Sequence, residues 1–401
     1  MRLVVVGSGV VGSACAYAAS VLGADVTLID SNRTGRATSA GAGIISPWAS
    51  AVDDPDWSTM ACSAARAYPA LVATLAEEGE TALGYRQAGA LVLADTAERA
   101  REISQQLLAR QARWPEMGEV SVLDPGQARG LFPPLRPDAW AVHISGAARV
   151  DGRLISAALC RAAGRNGATV LPGDAVLRCA QGAVAGVTAA GQFLAADAVV
   201  AATGAWTDAF LEPAGLTLGV TAQRGQIVHI GLGMTDTSRW PAILPSGTGH
   251  YMLAFDDSRV VAGATRETGS GFDYRVTPGG LAEVLHQALA VAPGLASGTY
   301  LETRVGFRPM GPDIRPLLGT VPGIDGLTVA TGLGASGLTM GPYAGELAAR
   351  VALGASLPLD LSPFSPVRAC IRTGSSEALR RQRRGRGLEP VALGHQFRGR
   401  L

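Results

Sequence analysis

Two apolar patterns alternate along this chain of 401 residues. Short, uninterrupted, mostly β-branched runs occupy residues 3–6, 26–29, 198–202 and 327–330. Runs without polar alternation predict parallel strands buried on both faces. Between them, apolar positions recur at helical spacing over residues 10–22 and over 54–79, which reads as one or two helices. Residues 99–113 predict a charged, solvent-facing helix, and further helices are expected up to Ala163, over 281–292 and from about 342 to 352. A strand is expected at 169–171. Residues 220–228, 250–254 and 259–265 read as strands separated by turn signals, which predicts an antiparallel sheet. Residues 123–135 form a proline-containing connection, and no repeat of 20–50 residues is present.

The first thirty residues, MRLVVVGSGVVGSACAYAASVLGADVTLID, read as strand, glycine turn, helix and strand. Gly7, Gly9 and Gly12 spell G-x-G-x-x-G, the spacing that gives a tight turn, close approach of a pyrophosphate, and close packing of helix on strand. Val10 and Val11 open the helix, whose N-terminal N–H groups suit an anion. Asp30 closes the second strand eighteen residues after Gly12, with Ser31 next. An acid there suits a ribose hydroxyl and argues against a 2′-phosphate, hence against NADP. The uncharged stretch 3–24 behind Arg2 also competes as a signal peptide or membrane span. The three glycines in one short loop and the closing acid decide for a dinucleotide-binding unit.

Composition narrows the class further. The chain is 47% hydrophobic and 17% charged, which suits a well-packed globular enzyme and argues against disorder. A formal net charge of +1 predicts no polyanion partner. All 34 basic residues are arginines, which removes any Schiff-base or P-loop lysine. Cys15, Cys62, Cys160, Cys179 and Cys370 form no CxxC pair, so neither a disulfide framework nor a zinc site is indicated, no metal is expected, and a reducing compartment is. From Arg368 on, nine arginines face only Glu377 and Glu389. Such a block, residues 367–401, is expected to be a disordered, solvated tail, with nucleic-acid or anionic-membrane contact as the other reading.

Residues 32–45 are rich in glycine, alanine and hydroxyls, which lets the backbone lie close to a large flat ligand. Here the sequence resembles the FAD-dependent glycine/D-amino-acid oxidase (DAO) family, bacterial D-amino-acid dehydrogenases and glycine oxidases above all. The match rests on the G-x-G-x-x-G unit followed by Gly35, Ser39, Gly43, Ile44 and Ile45, and the resemblance covers nearly all of residues 1–368. It implies that Arg36, Ala37, Thr38 and Ser39 lie along the pyrophosphate, and that Ala42, Gly43, Ile44 and Ile45 pass the flavin ring. Val176 is implied to hold the adenine through its backbone. Thr203, Gly204 and Trp206 match the family's A-x-G-x-W strand ending. Gly334, Ala335, Ser336, Gly337, Leu338 and Thr339 match the glycine loop that opens a helix at the anionic edge of the ring, where N–H groups and the helix dipole favour negative charge.

The implied fold is α/β: a Rossmann-type FAD-binding domain with a parallel sheet (1–47, 145–212 and 318–366) interleaved with an antiparallel-sheet α+β substrate domain (48–144 and 213–317). In the stretch Gly306-Phe307-Arg308-Pro309 the resemblance implies that Arg308 binds the substrate carboxylate, a role suited to the planar two-pronged guanidinium. Tyr251 is implied to assist it. Trp48, His250 and Arg266 are expected around the substrate pocket, and Arg315, beside Asp313, in a structural salt bridge. The implied reaction oxidises the CH–NH bond of a small D-amino acid or glycine-like substrate by hydride transfer to flavin N5, and the imine hydrolyses to keto acid and ammonia. An N-alkyl or cyclic imino acid is the alternative substrate. Covalent members attach FAD through a cysteine near Gly306, so non-covalent FAD is expected. The expected acceptor is oxygen, a quinone or another carrier. No nucleic acid and no membrane span are expected, self-association is left open, and the location is cytoplasmic, with the inner membrane face as a peripheral alternative. Two other classes stay in play: an NAD-dependent dehydrogenase, disfavoured by the loop after Asp30, and an arginine-tailed nucleic-acid or membrane-binding module that kept the fold without activity.

Overall fold

In the computed structural model, which describes residues 1–372, the β-branched run at the N-terminus forms the strand Arg2–Val6 inside a six-stranded sheet. Asp25–Asp30 and Ala198–Ala201 flank it in parallel, and Thr169–Pro172 and Leu327–Thr331 extend the parallel run on either side. Leu317–Thr320 closes one edge antiparallel. Val5, Val199 and Val200 are wholly buried, which is why these runs show no polar alternation. The helices Val10–Val21 and Gly337–Ala352 pack against each other beside this sheet. Gly345 makes that approach possible, since a Cβ there would lie 2.3 Å from the Val11 carbonyl oxygen.

The helix Gly337–Ala352 starts five residues before the expected Pro342, which falls inside it. Proline has no N–H to donate to the carbonyl four residues back, which normally breaks a helix. That carbonyl belongs to Leu338, and the buried Tyr68 hydroxyl donates to it instead. Tyr68 comes from the 23-residue helix Pro55–Glu77, the single-helix outcome for residues 54–79. Asp54 caps that helix by accepting the Trp57 N–H (2.8 Å). Arg315 makes its structural salt bridges there, to Asp54 and Asp56 (both 2.9 Å), and only its backbone N–H reaches Asp313.

The second sheet has nine strands. The long strands Thr221–Gly231 and Thr299–Met310 pair antiparallel along nearly their whole length, with Gln223 opposite Arg308. Arg259–Gly263, Tyr251–Phe255, Ala242–Pro245, Ala90–Ala94, Trp140–Ile144 and Val120–Leu123 continue it, and the short strand Glu267–Thr268 also pairs with Thr221–Gly231. The expected antiparallel character has one exception: Ala242–Pro245 runs parallel to Ala90–Ala94. Strands so far apart in sequence share no hairpin, so nothing local fixes their relative direction. A separate three-stranded antiparallel sheet, Ala175–Ala180, Ala183–Ala189 and Gln192–Ala195, carries Val176.

The start of the expected disordered tail needs correction. Pro366–Arg368 is a short turn of helix, and Ile371–Arg372 pairs with Leu216–Thr217. Arg368 donates to both Asp313 oxygens (3.0 and 3.1 Å) and to the carbonyls of Arg315 and Pro316, so it belongs to the fold. The rest of the arginine-rich stretch, 373–401, lies outside the described residues. Among the described residues no helix is long and apolar enough to cross a membrane, and no His/Cys/Asp/Glu cluster could hold a metal ion.

Candidate active site

The glycine turn after the first strand is closed by backbone at Gly7 and Gly12. Gly7 has φ +102°, and a Cβ on it would lie 2.4 Å from the Ala202 carbonyl oxygen. A Cβ at Gly12 would lie 1.7 Å from the Gly7 oxygen. Above the turn opens a cavity of about 650 Å³, within the range of small-molecule and cofactor sites. Asp30 lines it. Its Oδ2 accepts the Ser8 N–H (2.5 Å), and its Oδ1 accepts the Asn32 N–H (2.6 Å) and Arg36 Nη1 (3.1 Å). Two carboxylate oxygens offer about four acceptor sites, so capacity for a hydroxyl remains. Thr38 crosses the helix start and accepts the Val10 N–H (3.0 Å) through Oγ1.

The later loops meet over the same cavity. Gly43, at φ +97°, sits where a Cβ would be 1.8 Å from the Val150 carbonyl oxygen. The Ile44 carbonyl accepts the Thr339 hydroxyl (2.9 Å), tying this loop to the start of the helix Gly337–Ala352. Gly7, Gly9, Val10 and Val11 line the cavity together with Ser31. So do Arg36, Ala37, Thr38, Ala42, Gly43 and Ile44. Val176 lines it with Thr203, Gly204 and Trp206, as do Gly334, Ala335, Gly337, Leu338 and Thr339. Four of the expected cofactor positions do not line it. Gly12 is a packing glycine, Ile45 is buried at 2% exposure, the Ser39 carbonyl accepts Arg153 Nε (3.0 Å), and Ser336 ends a turn just outside.

Arg308 and Tyr251 share another part of the wall. Arg308 Nη1 donates to the Thr265 carbonyl (2.9 Å) and to Gln223 Oε1 (3.3 Å), and its guanidinium also hydrogen-bonds the Tyr251 side chain. Burial pulls the Arg308 pKa down from its ordinary value, opposed by Tyr251. Burial likewise pushes the Tyr251 phenol up, opposed by Arg308 and Arg266, so the hydroxyl keeps its proton. Arg266 lines the cavity too. Trp48 and His250 do not. Trp48 is 3% exposed, with its carbonyl accepting Arg110 Nη1 (2.5 Å). His250 lies behind Tyr251, 3.5 Å from Glu283, and burial lowers its pKa. His250 precedes the strand Tyr251–Phe255 and faces Glu283, while Tyr251 faces the cavity.

Three glycines outside every cofactor motif shape this wall. A Cβ at Gly225 would lie 2.7–2.8 Å from the Arg308 guanidinium. One at Gly263 would lie 2.9 Å from the Tyr251 hydroxyl, and one at Gly249 would overlap Arg266 Nη1 at 1.3 Å. Each polar head occupies space that a missing side chain vacates. Behind them is a buried network. Arg224 pairs with Glu267 and with Asp273, and Gln226 Nε2 donates to Glu267 (2.7 Å) and Thr277 (2.9 Å). Thr265, whose carbonyl holds Arg308, is fixed through its hydroxyl to the same Glu267 (2.7 Å). Phe307 anchors the strand to the glycine-rich loop, donating its N–H to the Gly35 carbonyl (2.9 Å) and packing on Phe272 and Trp206.

A turn that requires glycine at Gly7 and Gly12, an acid at its far strand, a second glycine loop against a helix start, and a large common cavity together fit a flavin dinucleotide. The comparisons point the same way. The family model described as "DAO: FAD dependent oxidoreductase" matches residues 2–351. The oxidoreductase YurR of Bacillus subtilis (strain 168) is 44% identical over 91% of this chain and 98% of its own length. The glycine oxidase of Geobacillus kaustophilus (strain HTA426) is 30% identical over 92% of this chain and 97% of its own. Among solved structures, iminodiacetate oxidase from Chelativorans sp. BNC1 superposes with a TM-score of 0.88 at 49% identity, covering 91% of this chain and 99% of that one.

Proposed function

The chain belongs to the DAO family of FAD-dependent oxidoreductases, enzymes acting on C–N bonds, and from that premise we propose that it oxidises the CH–NH bond of a small, carboxylate-bearing amine. The observation that carries this reading is the pairing of buried Arg308 with Tyr251 on the wall of the cavity that the glycine turns also line. Arg308 spends its Nη1 donors on Gln223 and Thr265 and keeps the rest of its fork for Tyr251 and a ligand. A carboxylate on that fork is fixed in rotation as well as position, because guanidinium and carboxylate match as two parallel N–H···O bonds. The protonated Tyr251 hydroxyl supplies a further donor to the same group.

The glycine turn at Gly7 and Gly9, the 36–44 loop and the helix start at Gly337 would hold FAD, which would supply the two-electron acceptor for the hydride from the α-carbon. Among the described residues, the acids lining the cavity are Asp30 and Asp174, each already paired with an arginine, and no histidine lines it. The described residues therefore offer no side-chain base at the Arg308 wall, and the amine enters unprotonated. Gly306 lines the cavity and no cysteine among the described residues does, which supports a dissociable FAD.

The glycine oxidase relative favours a primary amine such as glycine, and the iminodiacetate oxidase favours an N-substituted glycine. At 49% identity the second carries more weight, so we place N-substituted glycines first. The test is anaerobic bleaching of the bound flavin by glycine, D-alanine, sarcosine, proline and iminodiacetate. Bleaching by a carboxylate-bearing amine, without bleaching by the same amine lacking the carboxylate, is the expected result. Absence of bleaching by the whole panel would refute the reading. Turnover with oxygen or with a quinone then identifies the acceptor.

A further inference from the structure

Arg308 is not the only guanidinium on its wall. Arg33, Arg36 and Arg266 also line the cavity. Arg33 pairs with Asp174 (2.7 Å) and Arg36 with Asp30 (3.1 Å). Arg266 makes no hydrogen bond and no ion pair to any described residue. Its sequence neighbour Glu267 does not neutralise it. The Glu267 oxygens are committed to Arg224, Gln226 and Thr265. The Arg266 head lies instead along the backbone of Gly249, in space that any side chain there would fill. Arg308 and Tyr251 both sense its charge. The substrate wall thus presents two positive heads and no negative one. Like charges facing a common low-dielectric space repel, and a ligand carrying two negative charges relieves this better than one carrying a single charge.

We propose that Arg266 is a second carboxylate subsite and that the substrate is a small amine bearing two carboxylates. One carboxylate rests on Arg308 and Tyr251, the other on Arg266, and the amine nitrogen lies between. This rests on the function proposed above and adds the substrate class. For an N-carboxymethyl amino acid the balance is complete. The substrate gives a hydride and a proton, a two-electron oxidation that reduces FAD. Water then adds to the C=N bond, which splits into an aldehyde acid and the amine of the remaining amino acid.

The decisive experiment separates binding from turnover. Oxydiacetate has two carboxylates on an ether oxygen and no oxidisable amine, and methoxyacetate keeps only one carboxylate. Both are titrated into the FAD-loaded enzyme by isothermal calorimetry and by perturbation of the flavin spectrum. Oxydiacetate is expected to bind about tenfold tighter or more, as for a desolvated charge pair. Arg266→Gln is expected to bring the two affinities within about threefold, Arg266→Lys to restore part of the preference, and Gly249→Ala, which displaces the Arg266 head without altering its charge, to weaken it. Equal binding of the two by the wild-type enzyme, or a preference that survives Arg266→Gln, would overturn the proposal. Anaerobic reduction by iminodiacetate, D-aspartate and sarcosine then tells the N-linked dicarboxylate from the α-amino one. Bleaching by sarcosine with no advantage for either dicarboxylate would overturn the second subsite alone. Bleaching by none would overturn the proposed function, while the calorimetry still decides the role of Arg266.

Discussion

At Gly225 a missing side chain does the work of a catalytic residue. Arg308 lies directly across a strand pair from Gln223, two residues before this glycine, and its guanidinium fills the space above it. Gly225 has no positive φ, and the atoms a methyl would meet are the end of a side chain, so Gly225→Ala should fold normally. It should nevertheless displace Arg308 and raise the Kd for a carboxylate inhibitor by at least about 30-fold, equivalent to roughly 2 kcal/mol. A flavin-difference titration measures this, and a wild-type Kd would contradict the assignment. The place of Arg308 on the cavity wall was legible in the sequence, because GFRP is a local motif, here lying within the strand Thr299–Met310. Gly225, Gly249 and Gly263 were not, since their role is a contact with a residue on another segment or across a strand pair, and periodicity carries no trace of it. Trp48 and His250 misled for the converse reason: His250 is adjacent in sequence to Tyr251 and Trp48 lies three residues past the 42–45 loop, while each side chain is turned into the protein.

At the scale of single elements, the helix Gly337–Ala352 shows where local rules stop. Pro342 reads as a helix start because proline suits a first turn. The real start lies earlier because Tyr68 supplies the hydrogen bond that proline cannot. Tyr68→Phe should leave the buried Leu338 carbonyl unsatisfied and lower stability by about 1–3 kcal/mol in denaturant unfolding, with some loss of FAD affinity at the adjoining loop. On the long strand Thr221–Gly231, His229 is 1% exposed and accepts a hydrogen bond from Arg259 (2.8 Å). Burial, with Arg304 and Arg259 adding to it, holds its pKa down to about 3. The unfolded chain binds a proton on this group near pH 6.5 and the folded chain does not until about pH 3, so its contribution to stability is present above pH 6.5 and is lost as pH falls. His229→Gln should flatten the fall in unfolding free energy between pH 6.5 and 5, where few carboxylates titrate. An identical slope in wild type and variant would contradict this. The strands of the parallel sheet were legible because both faces are buried. Those over 175–195 were missed because small and exposed residues give them no clean period.

At the scale of the whole molecule, the cavity is assembled from distant parts of the chain: the N-terminal glycine turn, the 36–44 loop, the strand ends near 176 and 203, the long paired strands, and the helix start at 337. The G-x-G-x-x-G unit announced the first of these and the family resemblance most of the rest. The wall that chooses the substrate emerged only with the tertiary fold. A ligand that bridges so many segments stabilises the folded state by mass action, by about 2.7 kcal/mol at a concentration one hundred times its Kd. Removal of FAD should therefore lower the Tm, and titrating it back should restore the Tm in a concentration-dependent way. Gly43→Ala, which drives a Cβ into the Val150 carbonyl, should lose both the yellow colour and that dependence. The central claim is that Arg308 holds the carboxylate of the amine being oxidised. It is tested most directly by the substrate dependence of anaerobic flavin reduction in wild type and Arg308→Gln. The account predicts saturable reduction by an N-substituted glycine in the wild type, and in the variant, with FAD still bound, half-saturation raised by about 30-fold or more. Unchanged half-saturation in Arg308→Gln would contradict it.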